Sequence, residues 1–338
     1  MSANGSLGVG VIGVGRIGRL HAELLARQVE GAALAAICDS DGGTAREVGA
    51  RLGVPVVDSV EALLASPAVD AVAICSSTPT HADLIVAAAR AGRAIFCEKP
   101  LSLDLAELDR ALAATAEAGV AFQIGFNRRY DPAHRSVRDA VASGTVGEPH
   151  LVRISSRDPA PPPVDYVRDS GGLFLDMMIH DFDMARYVTD SEVVEVYARG
   201  ERRIYEEDGD VDTAVVVLTH ENGCLTSIDN SRRAAYGYDQ RVEVFGSCGM
   251  AASENPPAHT GVIRTAEGSR TPPLQTFFLD RYVPSYVREW EEFADAVRAG
   301  RTPPATAGDA RAPLVIGLAA WRSLRDGRPV RIEEVDRA

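Results

Sequence analysis

The sequence has 338 residues, 46% of them hydrophobic, which is enough for about two domains with buried cores. Its net charge of −13 argues against polyanionic partners such as nucleic acid or anionic lipid, because like charges repel. It contains no apolar run of about eighteen residues, and its start, MSANGSLG, lacks the basic and apolar regions of a signal peptide, so we expect a cytoplasmic protein without a membrane span.

The first third of the chain alternates short apolar runs with segments of helical period. The runs are GVGVIG, AALAAIC, VPVVD, VDAVAIC, AIFCE and AFQIG, apolar throughout like strands buried on both faces of a parallel sheet. The alternation predicts a doubly wound α/β domain over residues 1–126. Cys38, Cys75 and Cys97 each close one run without CxxC or CxH spacing, which predicts small buried residues and neither a metal site nor a disulfide framework.

The first strand and helix are joined by the glycine-rich stretch VIGVGRIG, with Gly13, Gly15 and Gly18 in GxGxxG spacing. Between a strand and a helix, such glycines permit a tight turn, close approach of the backbone to a pyrophosphate, and close helix packing. Arg16 and Ile17 open the helix, whose N-terminus supplies N–H groups and a dipole that attract anions. The stretch predicts a dinucleotide-binding loop, with an ordinary tight turn as the alternative.

The acidic residue Asp39 ends the second strand, 21 residues beyond Gly18. A carboxylate at this place accepts hydrogen bonds from the adenosine ribose hydroxyls. A 2′-phosphate would face Asp39 and Asp41 with no arginine immediately following, so repulsion opposes it. We therefore expect NAD as the cofactor in preference to NADP.

Polar residues follow two later strands of this domain: Ser76, Ser77, Thr78 and His81 after VDAVAIC, and Glu98 and Lys99 at the end of AIFCE. Ligands of such sheets bind outside the carboxyl ends of the strands, so we expect these groups around the nicotinamide end of the cofactor. The alternatives are helix capping by Thr78 or Thr80 and a solvated loop charge at Lys99.

After about residue 145 the apolar runs follow one another with few helical segments between them. They are EPHLVRISS, VVEVYARG, TAVVVLTH, CLTSIDNS and QRVEVFG, which predict a mostly antiparallel sheet in a second α/β domain over residues 127–338. Two helical segments close the chain, SYVREWEEFADAVRAG and GDARAPLVIGLAAWRSLRDG. This C-terminal segment either stays with the second domain or packs back on the first domain.

The stretch GGLFLDMMIHDFDMARY, residues 171–187, has the pattern of an amphipathic helix that carries carboxylates and an imidazole. Asp176 and His180 are four residues apart, so an α-helix would stack them on one face, with Asp183 a turn further along. The loop RDPAPPPVDY comes just before it and is either a wall of a site or a surface connection. Either this face carries polar chemistry or its residues only cap and solvate the helix.

Together these motifs resemble the Gfo/Idh/MocA oxidoreductases over almost the whole chain. The matching residues are Gly13, Gly15, Gly18, Thr78, Pro79, His81, Glu98, Lys99, Pro100, Asp176 and His180. The resemblance implies a Rossmann domain, a C-terminal α/β domain built on a largely antiparallel sheet, and a homotetramer. Within the family, four segments look most like the myo-inositol 2-dehydrogenases: QIGFNRRYDPAH, SRDPAPPP, GGLFLDMMIHDFDMARY and NSRRAAYGYDQRVEVFGS.

The resemblance implies a catalytic site of Lys99, Asp176 and His180 in the cleft between the two domains. Oxidation of a secondary alcohol needs a base and a stabiliser of alkoxide charge. His180 would be the base, Asp176 would orient it, and Lys99 would donate to the substrate oxygen. The implied reaction is NAD-dependent oxidation of a cyclitol, myo-inositol to scyllo-inosose. The alternatives are another inositol isomer, a pyranose or an anhydrosugar as substrate, and a catalytically silent dinucleotide-binding sensor.

The resemblance also implies side chains that bind a polyhydroxylated substrate: Asn127, Arg129, Asp158 and Tyr236. Two of these assignments have a neighbour as alternative, since Arg128 could be the inward residue in place of Arg129, and Tyr238 competes with Tyr236. Asp158 could instead cap a turn. Asp181 and Asp183 are expected to face solvent or to be structural.

Overall fold

The computed structural model describes residues 5–205 and 210–336. Its strands are β1 (Leu7–Ile12), β2 (Ala32–Cys38), β3 (Ala71–Ile74), β4 (Ala94–Glu98), β5 (Phe122–Gly125), β6 (Pro149–Arg157), β7 (Val193–Glu201), β8 (Thr213–His220), β9 (Leu225–Ser231), β10 (Asp239–Gly246), β11 (Gly249–Ser253), β12 (Ile263–Thr265), β13 (Gly268–Arg270) and β14 (Val330–Arg331). Its α-helices are α1 (Arg16–Arg27), α2 (Gly42–Leu52), α3 (Val60–Ala65), α4 (His81–Arg90), α5 (Leu105–Ala118), α6 (Pro132–Ala142), α7 (Val164–Asp169), α8 (Ile179–Thr189), α9 (Phe278–Arg298), α10 (Ala307–Asp326) and α11 (Glu333–Asp336).

The chain divides into two compact units. The first unit comprises Met1–Asn127 and Pro284–Ala312, and the second comprises Arg128–Val283 and Pro313–Ala338. The first boundary, after Asn127, lies beside the one predicted after residue 126, and most of α9 belongs to the first unit. Among the described residues, no helix is long and apolar enough to cross a membrane.

The first unit is built on a five-stranded parallel sheet in the order β2-β1-β3-β4-β5. β1, β3, β4 and β5 are buried at every position, which is why their sequences are apolar apart from Glu98 and Gln123. The prediction of a doubly wound domain is therefore confirmed. Cys38, Cys75 and Cys97 are buried as predicted, whereas Cys248 in the second unit is exposed.

One predicted strand is wrong. VPVVD makes a single parallel bridge, from Val56 to Ile37 of β2, and does not extend the sheet. Pro55 O accepts from Ile37 N–H at 3.0 Å, and Val57 N–H donates to Ile37 O at 3.0 Å. Pro55 has no N–H with which to continue the ladder, so the pairing stops there.

The second unit is built on a seven-stranded sheet in the order β11-β10-β6-β9-β8-β7-β14. Only the β6–β9 pair is parallel, so the predicted, largely antiparallel sheet is confirmed. The inner face of the sheet packs on residues of α8 and α10, among them Phe182 and Ile316. β8 shows the alternation: Val216 and Leu218 are buried, while Val215 and Val217 are exposed on the outer face.

Candidate active site

The glycine-rich turn of the first unit has the shape that a pyrophosphate requires. Gly13 has φ of 85°, and a side-chain Cβ on it would lie 2.7 Å from the backbone N of Ser76. A Cβ on Gly18 would lie 1.9 Å from the carbonyl oxygen of Gly13, so helix α1 packs against the turn only because residue 18 is glycine. Gly15 precedes α1, is exposed, and has open space above it within the described residues, so the backbone here is accessible to an anion.

Asp39, at the end of β2, is held against this turn. One carboxylate oxygen accepts from Val14 N–H at 2.7 Å, and the other accepts from Asp41 N–H at 2.8 Å. The carboxylate is partly exposed and keeps lone pairs for further donors such as ribose hydroxyls. These residues fit a dinucleotide with an unmodified adenosine ribose.

Asp39→Ala is expected to weaken NAD binding and to narrow the preference for NAD over NADP. The substitution removes the acceptor for the ribose hydroxyls and the negative charge that repels a 2′-phosphate. Steady-state kinetics with both cofactors measure the ratio of their kcat/KM values. An unchanged ratio would contradict this role of Asp39. Asp70→Ala is the matched control, because the Asp70 carboxylate also accepts from a backbone N–H, that of Gly8 at 3.0 Å, but lies before the start of β3 and not at the end of β2.

The polar residues after β3 and β4 lie together. His81 is 2% exposed, and its Nδ1 and Nε2 lie 3.0 Å from the carbonyl oxygens of Pro100 and Ser76, respectively. Its side chain therefore connects the two strand ends inside the unit, and burial lowers the pKa of its imidazole. Thr80 Oγ1 donates to Ser77 O at 2.8 Å and makes no side-chain cap bond to the N-terminus of α4, so the alternative of helix capping by Thr80 is wrong.

Lys99 follows directly at the end of β4. Its backbone N–H donates to Glu98 Oε2 at 3.2 Å, and its side chain is partly exposed. The Glu98 carboxylate is 7% exposed and also contacts His21 Nε2, at 2.7 Å. Since Glu98 is bonded inside the unit, a direct contact of its side chain with the cofactor stays a prediction.

In the second unit, the segment around Asp176 is not the single α-helix that the sequence pattern predicts. Leu173–Met177 form a π-helical turn, closed by a bond from Met178 N–H to Leu173 O at 2.8 Å, and α8 begins only at Ile179. Asp176 lies in the π turn and His180 in α8, so the predicted stacking along one α-helical face is wrong. The π turn widens the backbone ring and changes the direction of Asp176.

The π turn is fixed by its start. Gly172 has φ of 76°, and a Cβ on it would lie 2.4 Å from Asp210 Oδ2. The same oxygen accepts from the backbone N–H of Leu173. The periodicity of the segment could not predict this contact, because Asp210 lies 37 residues away from Leu173 in sequence.

The Asp176 carboxylate is positioned by two donors that the sequence did not single out. Tyr166 donates to Oδ1 at 3.0 Å, and Arg232 Nη1 lies 3.4 Å from Oδ2. Arg232 is 1% exposed and is also close enough to Asp158 and Asp210 to favour their charged forms. Burial wins nevertheless and raises the pKa of each of these two carboxyls to about 6. The signal that could have found Arg232 is a charged residue at the end of a strand, in the segment NSRR.

Asp210→Asn is expected to stabilise the fold above pH 6. In the unaltered protein the pKa of the Asp210 carboxyl is about 6 in the folded state, against an ordinary value of 3.8. Between these two values the folded state binds more protons than the unfolded state, so the stability of the unaltered protein falls as the pH rises through this window. Asparagine keeps an acceptor for Leu173 N–H without the buried charge. Denaturant unfolding should show a gain of roughly 1–3 kcal/mol at about pH 8 that disappears below about pH 4.

The exposed Asp165 supplies the control, since Asp165→Asn removes a solvated charge and should not show this pH dependence. A loss of stability for Asp210→Asn at pH about 8 would mean that the carboxylate is better compensated than its burial indicates.

Two other aspartates of this segment are held in buried ion pairs. Asp181 and Asp183 are 0% and 1% exposed. Arg128 Nη1 lies 2.7 Å from Asp181 Oδ1, and Arg129 holds both oxygens of Asp183 at 2.9 and 2.6 Å. Both guanidinium groups are thus engaged in buried ion pairs, so a substrate contact by Arg129 stays a prediction that competes with its pairing to Asp183.

The remaining predicted substrate contacts lie in different surroundings. Tyr236 is 52% exposed, donates to Asp239 Oδ2 at 2.6 Å and accepts from Arg157 Nη1 at 2.8 Å. Tyr238 is buried, and burial raises its pKa well above the usual value. Tyr236 and Tyr238 do not share a strand face, because β10 starts after them and Gly237, with φ of 125°, separates them.

Asp158 and Asn127 complete the set. Asp158 is partly buried, near Arg232, Arg128 and Asp176. Asn127 is 3% exposed, and its Nδ2 has no hydrogen-bond partner among the described residues. A buried amide without a partner is costly, which is consistent with a donor kept for a ligand.

The first unit has a parallel sheet with a glycine turn and a carboxylate at the end of β2, and the second unit carries a carboxylate and an imidazole on one segment. Together these features are typical of one class of protein, the dinucleotide-dependent dehydrogenases. Two family models match the chain: "Oxidoreductase family, NAD-binding Rossmann fold" over residues 7–126, and "GFO/IDH/MocA C-terminal domain" over residues 134–252. The chain belongs to the Gfo/Idh/MocA family of oxidoreductases.

Several relatives are similar over nearly their full length. The chain is 49% identical to a myo-inositol 2-dehydrogenase of Thermotoga maritima, covering 97% of this chain and 99% of the relative. It is 42% identical to an inositol 2-dehydrogenase of Rhizobium meliloti, covering 96% and 98%. A crystal structure of scyllo-inositol dehydrogenase from Lactobacillus casei with NAD(H) and scyllo-inositol matches with a TM-score of 0.90 at 28% identity, covering 97% and 99%. The expected cofactor, NAD, and the expected oxidoreductase activity are thereby confirmed.

Proposed function

We propose that this chain is an inositol 2-dehydrogenase that oxidises myo-inositol to scyllo-inosose with NAD. The observation that carries the proposal is the 49% identity, over 97% of the chain, with the myo-inositol 2-dehydrogenase of Thermotoga maritima. The positions of Asp176 and His180 on consecutive turns support a site for alcohol oxidation in the second unit.

In the proposed reaction, NAD held at the glycine turn and Asp39 would supply the acceptor for the hydride of the ring carbon. His180 takes the hydroxyl proton as general base. Asp176, held by Tyr166 and Arg232, orients the imidazole and stabilises the imidazolium. Lys99 donates to the substrate oxygen and stabilises its alkoxide character.

The composition of the chain supports a chemical role for Lys99. Of the 35 basic residues, 34 are arginine and Lys99 is the only lysine. An ammonium is a compact point charge with three rotatable donors, whereas a guanidinium is a planar fork that pairs with carboxylates. The chain uses arginine at all of the remaining 34 basic positions but keeps an ammonium at the carboxyl end of β4, where a single oxygen would be the acceptor.

Substrate hydroxyls are proposed to bind the partly buried Asp158 and Nδ2 of Asn127. Tyr236 is proposed as a further substrate contact because its phenol is exposed, whereas that of Tyr238 is buried. Arg129 would contribute only through the part of its guanidinium that faces away from Asp183.

The proposal is tested by NAD reduction with a panel containing myo-inositol, scyllo-inositol, a pyranose and an anhydrosugar, with the product identified by NMR. The highest kcat/KM is expected for myo-inositol, with oxidation at one carbon. Preference for scyllo-inositol or a sugar would change the substrate assignment. NAD binding without reduction by any of these substrates would favour a dinucleotide-binding sensor.

We further propose a homotetramer in which the outer face of the second sheet packs against another copy. This face exposes Val215, Val217, Leu225 and Phe245, each between 39% and 50%. Contiguous exposed apolar side chains are typical of interaction surfaces. Size-exclusion chromatography with light scattering should give a mass four times the 36.0 kDa of one chain, and Val217→Glu should reduce this mass. A monomeric mass for the unaltered chain would contradict the proposal.

A further inference from the structure

We propose that His21 is a positioning residue for Lys99, acting through a hydrogen-bond chain that runs from Trp290 through His21 and Glu98 to the Lys99 backbone. The inference rests on the proposed role of Lys99. All four residues belong to the first unit, although Trp290 and His21 are 269 residues apart in sequence.

The chain is short and buried. Trp290 Nε1 donates to His21 Nδ1 at 2.8 Å, and His21 Nε2 lies 2.7 Å from Glu98 Oε1. Glu98 Oε2 accepts from the backbone N–H of Lys99 at 3.2 Å. Trp290 and His21 are 0% exposed and Glu98 is 7% exposed, so water does not compete for these bonds.

Donor chemistry sets the direction of the chain. An indole N–H can only donate, so His21 Nδ1 must accept and the ring proton of a neutral His21 lies on Nε2. This proton then points at the Glu98 carboxylate. A proton on Nδ1 would oppose the indole N–H, so Trp290 selects the His21 tautomer whose Nε2 proton is donated to Glu98.

The aromatic packing makes this arrangement rigid. Trp290 stacks on Phe96 of β4 with ring centroids 4.4 Å apart, and His21 meets Phe96 and Tyr286 edge-on at 5.3 and 5.5 Å. These contacts fix helix α9 and helix α1 on β4, the strand that ends in Glu98.

The consequence concerns the geometry of Lys99. Glu98 is the residue before Lys99, and its carboxylate connects the Lys99 peptide N–H to His21. His21 lies in α1, the helix that begins at the dinucleotide turn. The same helix therefore positions both the turn and the strand end that carries Lys99. Because a displacement of about 1 Å can cost about a hundredfold in rate, loss of this link should reduce turnover.

The variants separate the hydrogen bonds from the packing. His21→Leu removes both bonds, His21→Gln keeps one acceptor and one donor, and Trp290→Phe removes the indole N–H but keeps a ring beside Phe96. We expect kcat to fall by about ten- to a hundredfold for His21→Leu, with partial recovery in His21→Gln and a smaller loss in Trp290→Phe. NAD binding should stay near the unaltered value.

A matched control is His220, a second buried histidine, in the second unit. It is 1% exposed and its Nε2 lies 2.8 Å from Thr226 Oγ1. His220→Leu should lower the thermal midpoint as His21→Leu does, but leave kcat per folded molecule unchanged. This distinguishes positioning of Lys99 from general loss of a buried, hydrogen-bonded histidine.

Because Lys99 is the only lysine, its environment can be observed without an activity assay. Protein labelled with ¹³C at lysine Cε gives one lysine resonance. The resonance should shift or broaden in His21→Leu and Trp290→Phe, return toward its original position in His21→Gln, and not move in His220→Leu.

A double-mutant cycle completes the test. In a Lys99→Ala background, His21→Leu should cause no further loss of turnover, because its effect passes through Lys99. Equal losses in both backgrounds, or an unchanged lysine resonance in every His21 and Trp290 variant, would overturn the positioning role and leave the role of Lys99 intact. Full turnover of Lys99→Ala alone would overturn both.

Discussion

His180→Ala is expected to lower turnover by about a hundredfold to ten-thousandfold, while NAD binding stays near that of the unaltered protein. Alanine removes the imidazole that is proposed to accept the hydroxyl proton. The dinucleotide turn and Asp39 lie in the other unit and are not changed. Single-turnover and steady-state NAD reduction measure the effect, and binding of NADH is followed separately by fluorescence.

Asp176→Asn provides a second reading of the same assignment. It preserves the shape of the side chain but removes the charge that favours the imidazolium, so the pH dependence of kcat should shift as turnover falls. Asp183→Asn is a matched control for loss of a buried carboxylate in the same helical segment, since Asp183 pairs with Arg129 and should affect stability more than the pH profile. Full activity of both His180→Ala and Asp176→Asn would mean that the segment is structural.

Lys99→Ala is expected to reduce turnover by roughly a hundredfold, the usual effect of removing one donor that stabilises transition-state charge. An ammonium near the substrate oxygen stabilises alkoxide more than alcohol, so kcat should fall more than KM rises. Lys99→Arg keeps the charge but changes length and geometry, and should recover only part of the loss. The measurement is turnover at saturating NAD, with NAD binding determined independently.

The contrary outcome for Lys99 is specific. If Lys99→Ala lost NAD binding but kept turnover at saturating cofactor, Lys99 would belong to the dinucleotide site. Amine-selective modification offers a parallel test, because Lys99 carries the one side-chain amine of the sequence and the α-amino group of the N-terminus is the other target. Inactivation by such a reagent should be absent in Lys99→Arg, whose remaining activity should persist.

The sequence alone determined the features that depend on local pattern. Strands buried on both faces are largely apolar, which predicted β1 to β5 but also the wrong strand at VPVVD. A tight turn approached by a helix must use glycine, which predicted Gly13 and Gly18. The position of Lys99 followed equally, because the residue after a buried parallel strand lies at the carboxyl edge of its sheet.

The tertiary structure decided what depends on contacts between distant residues. From the sequence, Asp181 and Asp183 were expected either to face solvent or to be structural. The fold pairs them with Arg128 and Arg129, which lie 53 and 54 residues earlier. The π turn at Asp176 depends on Asp210, and one of the two donors to Asp176 is Arg232, 56 residues away. Periodicity reports only which face of an element is apolar, whereas these contacts depend on which faces meet. The link from Trp290 to His21 therefore exists only once α9 has packed on the parallel sheet.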